Sequence, residues 1–341
     1  MPGILLDTMR GQRSDHIPLW LMRQAGRYLP EYRALRADKG GFLELVYDSD
    51  AAAEVTVQPI DRFGFDGAIL FSDILIIPYA MGQKLEFLAG EGPKLSPTLV
   101  DHALSSLEAV PERLSPIYST VTKVRERLGP ETTLLGFAGS PWTVATYMVA
   151  GEGSRDQHQT RAMAYQNPEA FGEIIDAIAD LTIEYLVGQI NAGAEAVQLF
   201  DSWSGSLAPT EFERWVIAPN AKIVAALAER CPDVPVIGFP KGAGEKLPAY
   251  IRETGVNAAG LDETIDPLWA AKALPDSLPV QGNLDPLMLL SGGPALEKAA
   301  KRILEAFGDR PHVFNLGHGI GQFTPIAHVE ELVAIIRGWQ G

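Results

Sequence analysis

Short apolar runs recur along this chain, each ending in a polar turn rich in Gly or Pro and each separated from the next by a stretch of helical periodicity. The clearest unit begins at Asn167-Pro168, a helix-capping residue followed by proline at the first helical position. Phe171, Ile174, Ile175, Ile178, Thr182, Tyr185 and Leu186 then recur at helical spacing, which predicts an amphipathic helix ending at Gly193. A buried strand over 196–200 follows, with Asp201-Ser202 emerging at its C-terminal end. The unit repeats as a helix over 116–128 stopped by Gly129-Pro130, a strand over 133–137, and the turn Gly139-Ser140-Pro141. It repeats again as a helix over 219–230, a strand over 234–239 and the turn Lys241-Gly242-Ala243-Gly244. Further strands are predicted at 18–21, 67–71, 258–261, 278–281 and 312–316.

Eight strands alternating with helices predict an α/β chain forming a (β/α)8 TIM barrel, with residues 1–341 as a single domain. A doubly wound open sheet is the rival, but no G-x-G-x-x-G follows a first strand. In such a barrel the site is built at the C-terminal ends of the strands. There this chain carries Arg23 and Arg27, Asp73, Tyr147, Ser202, Lys241, Asp262, Asn283 with Asp285, and His318. The 46% hydrophobic content is ample for one large core.

Charge sharpens the picture at the N-terminus. The chain has a net charge of −15, yet within the first 39 residues Arg10, Arg13, Arg23, Arg27, Arg33, Arg36 and Lys39 oppose only Asp7, Asp15, Glu31 and Asp38. A cationic pocket in an acidic protein suits a small polyanion, because guanidinium groups clamp carboxylates in bidentate geometry. The alternative is a set of solvated or salt-bridged surface charges. The acidic balance (pI near 4.9) argues against nucleic acid as a partner. A lone Cys231 leaves no internal disulfide and fits a reducing compartment. With Asp7 and Arg10 arriving early and no uninterrupted apolar span, the expectation is a cytoplasmic protein with no membrane segment.

Asp73 lies between the apolar runs 68–71 and 74–77, where a carboxylate is costly unless donors or a cation face it. It either caps a turn or meets N–H donors and positive charge on a ligand. His312, His318 and His328 lack the spacing of a zinc site, and Cys231 has no second cysteine beside it, so no metal is expected. Trp142 and Trp203 either fill the rim or pack on a flat ligand.

These motifs also carry a family likeness. Met22-Arg23-Gln24-Ala25-Gly26-Arg27-Tyr28-Leu29-Pro30-Glu31-Tyr32-Arg33 resembles the signature of the uroporphyrinogen decarboxylases. So do Phe71-Ser72-Asp73-Ile74-Leu75, Gly136-Phe137-Ala138-Gly139-Ser140-Pro141-Trp142-Thr143, Gln198-Leu199-Phe200-Asp201-Ser202, Gln281-Gly282-Asn283-Leu284-Asp285-Pro286 and Asn315-Leu316-Gly317-His318-Gly319, in family order. The resemblance implies a single-domain barrel, usually a homodimer, that needs no metal, organic cofactor or prosthetic group. The implied substrate is a porphyrinogen: four acetate side chains of uroporphyrinogen III would become methyls, giving coproporphyrinogen III and CO2 in haem biosynthesis. Arg23 and Arg27, with Gln24, Ala25 and Gly26 between them, would bind substrate carboxylates. Asp73 would lie under the macrocycle centre and accept hydrogen bonds from pyrrole N–H groups. Tyr147, Ser202 and His318 would line the pocket and contact acetate or propionate arms. The proton donor stays open, since an arginine holds its proton too tightly to be a good general acid. Two other readings stand beside this one. A corrinoid-linked methyltransferase of the same barrel type would need zinc-binding cysteines that one Cys cannot supply. A tetrapyrrole carrier without turnover would have little use for Asp73.

Overall fold

The computed structural model describes residues 3–14, 16–88 and 92–340, and in it the predicted alternation curls into a barrel. Among the described residues the strands are β1 (Gly67–Ile69), β2 (Lys84–Leu88), β3 (Gly92–Ser96), β4 (Thr133–Gly139), β5 (Ala196–Asp201), β6 (Val236–Pro240), β7 (Ala258–Gly260), β8 (Val280–Gln281) and β9 (His312–Val313). Seven of them form one parallel sheet in the order β1-β4-β5-β6-β7-β8-β9. Register runs through pairs such as Leu135 with Ala196, Val197 with Val236 and Val280 with His312. β4 and β6 are buried at every position, as expected of parallel strands with side chains packed on both faces.

The sequence predicted eight barrel strands, and the first of them does not form. The segment 18–21 pairs through a single parallel bridge, Leu19 with Phe314. The Phe314 N–H donates to the Pro18 carbonyl at 2.8 Å, and on the other side the Leu19 N–H donates to the Asp66 carboxylate at 2.7 Å. The segment therefore fills the gap between β9 and β1 and closes the ring. Pro18 has no N–H to give, and a side-chain carboxylate stands where a ladder carbonyl would be, so no regular strand develops.

Pattern reading also missed the antiparallel hairpin of β2 and β3. Gly92-Pro93 opens its second strand, and both residue types are depleted in strands. The hairpin is held from outside, by the Leu95 N–H donating to the Gly151 carbonyl at 2.7 Å.

The predicted helices appear as Ser115–Arg127, Pro168–Asn191 and Ala218–Arg230. Asn167 caps the second, its side chain accepting from the Ala170 N–H at 3.3 Å. That helix fixes the ring from outside: Gln189 accepts from the Phe137 N–H and donates to the Phe137 carbonyl, each at 2.9 Å. Gly136 makes room for this brace, since a Cβ there would stand 2.5 Å from the Gln189 amide oxygen. A second polar chain is fully buried: Trp20 donates to Gln281 at 2.9 Å, and Gln281 to Gln198 at 3.0 Å. Phe137, Phe200 and Phe239 follow on adjacent strands in edge-to-face contact at 5.6 and 5.8 Å.

Candidate active site

The loop after 18–22 carries the two arginines, and Gln24 builds it. The Leu21 N–H donates to the Gln24 amide oxygen at 3.0 Å, and the Gln24 amide donates to the Gly67 carbonyl at 2.9 Å. Gln24 has no exposed surface, so its side chain positions the loop and is spent on the fold, against the expectation that it binds a ligand. The Met22 N–H donates to Asn315 and the Ile320 N–H to the Met22 carbonyl, both at 2.9 Å, tying the loop to the segment after β9. Arg23 sits at φ 61, a region side-chain-bearing residues adopt rarely and only under constraint. Its side chain then lies across Gly319, where a Cβ would stand 2.3 Å from the arginine Cδ. Ala25 and Gly26 are half-buried, and the Gly26 carbonyl accepts from the Leu29 N–H at 3.0 Å, turning the chain into the helix Pro30–Asp38.

Four of the six N-terminal arginines are absorbed by the fold. Arg10 donates to the Asp233 carbonyl at 3.1 Å, and Arg13 pairs with Asp309 at 3.7 Å. Arg33 holds the carbonyls of Arg27 and Tyr28 at 2.7 and 3.2 Å. Arg36 lies over the Phe42 ring at 5.8 Å. Among the described residues, Arg23 and Arg27 alone of the six make no side-chain hydrogen bond, ion pair or ring contact. Two guanidinium groups left without an internal partner are what an anion site needs, and the broad cationic cluster of the sequence narrows to them.

Asp73 stands in the turn between β1 and the helix Ile76–Ala80. One carboxylate oxygen accepts from the Leu75 N–H at 2.8 Å, and no described residue donates to the other. One oxygen thus caps a turn, as one of the two sequence readings has it, and the other is open. Protein surrounds the group although some surface stays accessible, and this burial raises its pKa to about 6. The Leu75 N–H and the positive charge of Arg23 oppose that rise.

Tyr147 comes from the helix Pro141–Ala150, its ring 3.4 Å from where a Gly153 Cβ would stand. Burial above all raises its phenol, with the Asp73 charge adding to the effect and Arg23 opposing it. His318 is pushed down to about 4, first by burial and then by Arg23 and Lys241, with Asp262 opposing, so at neutral pH it is an uncharged imidazole. The charge of Arg23 therefore reaches Asp73, Tyr147 and His318, and that of Asp73 reaches Tyr147. Arg27 is exposed and its charge acts on Tyr32, while Ser202 is half-buried just past the end of β5.

Three other rim residues serve the turns. Asp262 accepts from the Gly242 N–H at 2.7 Å and the Thr264 N–H at 2.8 Å. Asn283 donates to the carbonyls of Asp262 and Ile265 at 2.8 and 2.7 Å. Asp285 caps the helix Pro286–Ser291 through the Leu287 N–H at 2.8 Å. Sequence reading missed the Lys241–Glu263 ion pair at 2.9 Å, which joins the ends of β6 and β7 and has no local signature. A cavity of about 460 Å3 near Tyr118, Glu184 and Arg230 lies on the outer wall, lined by none of the predicted site residues. Among the described residues no group of three His, Cys, Asp or Glu side chains could hold a metal ion, and no helix is long and apolar enough to cross a membrane.

The arrangement suits a polycarboxylate held by two arginines, with an open carboxylate oxygen placed to meet N–H donors or a developing cation. Comparison with known proteins bears on which polycarboxylate. The uroporphyrinogen decarboxylase family model matches residues 3–339. A uroporphyrinogen decarboxylase of Novosphingobium aromaticivorans is 76% identical over 339 residues, covering 99% of each chain. Those of Erythrobacter litoralis and Mesorhizobium japonicum are 72% identical over 340 residues and 52% over 335, covering 100% and 98% of this chain and 100% and 97% of their own. Among solved structures, a methyltransferase from Methanosarcina mazei superposes with TM-score 0.78 at 18% identity, covering 97% of this chain and 96% of its own, a likeness of fold alone.

Proposed function

This chain belongs to the uroporphyrinogen decarboxylase family, and from that membership we propose that it converts the four acetate arms of uroporphyrinogen III to methyls, releasing coproporphyrinogen III and four CO2 in haem biosynthesis. It is a carboxy-lyase, acting without metal or organic cofactor in this reading. The observation that carries the mechanism is the open oxygen of Asp73 beside the unpaired Arg23.

The chemistry explains why those groups are needed. An acetate on a pyrrole cannot simply lose CO2, because the methylene carbanion left behind has nothing to stabilise it. Protonation of the adjacent pyrrole carbon makes an iminium-like ring that accepts the electron pair as the C–C bond breaks. The resulting enamine-type carbon then takes a second proton, completing the methyl, and the ring carbon gives up the first, restoring the pyrrole. A fixed carboxylate under the ring favours the cation over the neutral ground state, which is stabilisation aimed at the transition state. Arg23 and Arg27 clamp substrate carboxylates, the uncharged His318, Tyr147 and Ser202 contact the arms, and the Gln24 to Gly26 backbone shapes the loop between. All of this uses one barrel over residues 1–341.

The test is an anaerobic incubation of chelator-treated protein with the reduced octacarboxylate porphyrinogen, followed by mass spectrometry. Stepwise loss of up to four CO2 is the expected result. Tight binding with no mass loss would instead favour a tetrapyrrole carrier.

The same reading makes the protein a cytoplasmic homodimer. Its support is an apolar rim: Leu287 is 66% and Phe323 79% exposed, with Leu268, Trp269, Met288 and Leu290 on the connections after β7 and β8. Sedimentation velocity should give a dimer at micromolar protein and a monomer for Leu287→Asp combined with Phe323→Asp, and cell fractionation should leave the protein with the soluble enzymes. A monomeric unmodified protein would remove the proposal.

A further inference from the structure

The turn that carries Ser202 and Trp203 hangs on a carboxyl with no exposed surface. Asp201, the last residue of β5, accepts from the Thr143 hydroxyl at 2.5 Å. The same Thr143 oxygen accepts from the Trp203 backbone N–H at 3.1 Å. Trp142, next to Thr143 on the helix Pro141–Ala150, donates its indole N–H to the Trp203 carbonyl at 3.1 Å. From the other side, Ser204 donates to the carbonyls of Asp201 and Lys241 at 3.1 and 3.0 Å. No well-formed hydrogen bond reaches the other Asp201 oxygen in its buried surroundings, although the Asn220 side chain lies close enough to act on the carboxyl.

A threonine hydroxyl has one proton, so where that proton goes decides where its lone pairs point. Donation to Asp201 leaves the Thr143 oxygen free to receive the Trp203 N–H. Without that acceptor the hydroxyl rotates towards a carbonyl of its own helix turn, and the Trp203 N–H loses its anchor.

We infer that Asp201 is a positioning residue for the reaction: by orienting the Thr143 hydroxyl it locks the Ser202–Trp203 turn against the helix that presents Tyr147. The role needs an acceptor of the right shape and not a charge. Consistent with that, burial raises Asp201 to about 7 despite the Thr143 bond. The activity part of this inference rests on the decarboxylase reading; the positioning part does not.

Two pairs of variants test it, Asp201→Asn with Asp201→Ala and Thr143→Ser with Thr143→Val. Each is read by hydrogen exchange over 202–207 and by steady-state kinetics. Asp201→Ala and Thr143→Val should speed exchange at the Trp203 amide by about tenfold or more, because its hydrogen bond opens. They should also lower kcat/KM by about tenfold to a hundredfold, the usual consequence of a misplaced site wall. Asp201→Asn and Thr143→Ser, which keep the acceptor and the hydroxyl, should stay within about threefold of the unmodified protein on both readouts. Asparagine behaving as badly as alanine would show that charge matters and overturn the inference. Unchanged exchange in both Asp201→Ala and Thr143→Val would overturn it too. If Asp201→Ala does not fold, Thr143→Val and Asp201→Asn carry the test. An unmodified protein without turnover would sink the decarboxylase reading while leaving the exchange result to decide the turn.

Discussion

Asp73→Asn is expected to reduce turnover by about a hundredfold to a thousandfold, the scale seen when one preorganised group aimed at developing charge is removed. Binding should survive or tighten, because the variant no longer sets a negative charge against an octa-anion. Two further signs follow from the raised pKa of Asp73. The catalytic form is ionised, so kcat/KM of the unmodified protein should fall as pH drops below about 6. A carboxyl whose folded pKa exceeds its unfolded value favours the fold when protonated, and that contribution is lost as pH rises through the folded value. At neutral pH the ionised Asp73 therefore works against stability, and Asp73→Asn should melt higher than the unmodified protein, the two converging towards pH 4. A higher Tm with no turnover separates lost chemistry from lost structure. A variant of full rate would sink the mechanism.

Replacing the arginines should produce the second large effect. Arg27→Gln removes charge-assisted contacts worth about 1.5–3 kcal/mol each, so the substrate Kd should rise by about tenfold to a hundredfold. Arg23→Gln should weaken binding at least as much and also move titrations. Arg23 holds Asp73 down, so its loss should shift the acidic limb of kcat/KM above pH 6. Arg23 also helps keep His318 low, so the imidazole should titrate at a higher pH than about 4 in an NMR titration. Arg27→Gln should leave both titrations in place. An unchanged Kd for Arg27→Gln would mean that Arg27 faces only solvent, and an unmoved acidic limb for Arg23→Gln would uncouple it from Asp73.

What was legible beforehand tracks how local each feature is. Arg23, Asp73 and His318 each sit in a short motif just past an apolar run, with Tyr147 a little further on in the helix after β4, and a barrel carries all strand ends to one rim, so a shared rim could be expected from order alone. Asn167 capping its helix was legible for the same reason, the signal lying within four residues. The hairpin of β2 and β3 was not, because its pairing is completed by a bond to Gly151, far along the chain. Nor was the reduction of an eight-stranded ring to seven strands and a bridge, which turns on Asp66 reaching back to Leu19.

The sequence by itself determined the alternation of strand and helix, the polar residues at the strand ends, the family to which those motifs are similar, and the contrast between a cationic N-terminus and an acidic chain. Only the tertiary structure decided which charges stay available. By charge alone Arg10 and Arg13 match Arg23 and Arg27, yet Asp233 and Asp309 take the first pair and no described residue takes the second. Only the structure showed Gln24 spent on the Gly67 carbonyl, and Asp201 set beneath Trp203 through Thr143. The physical reason is common to all of these. Patterning reports burial, which is periodic and local, whereas the availability of a charge or a hydrogen bond depends on partners that only folding brings within about 3 Å.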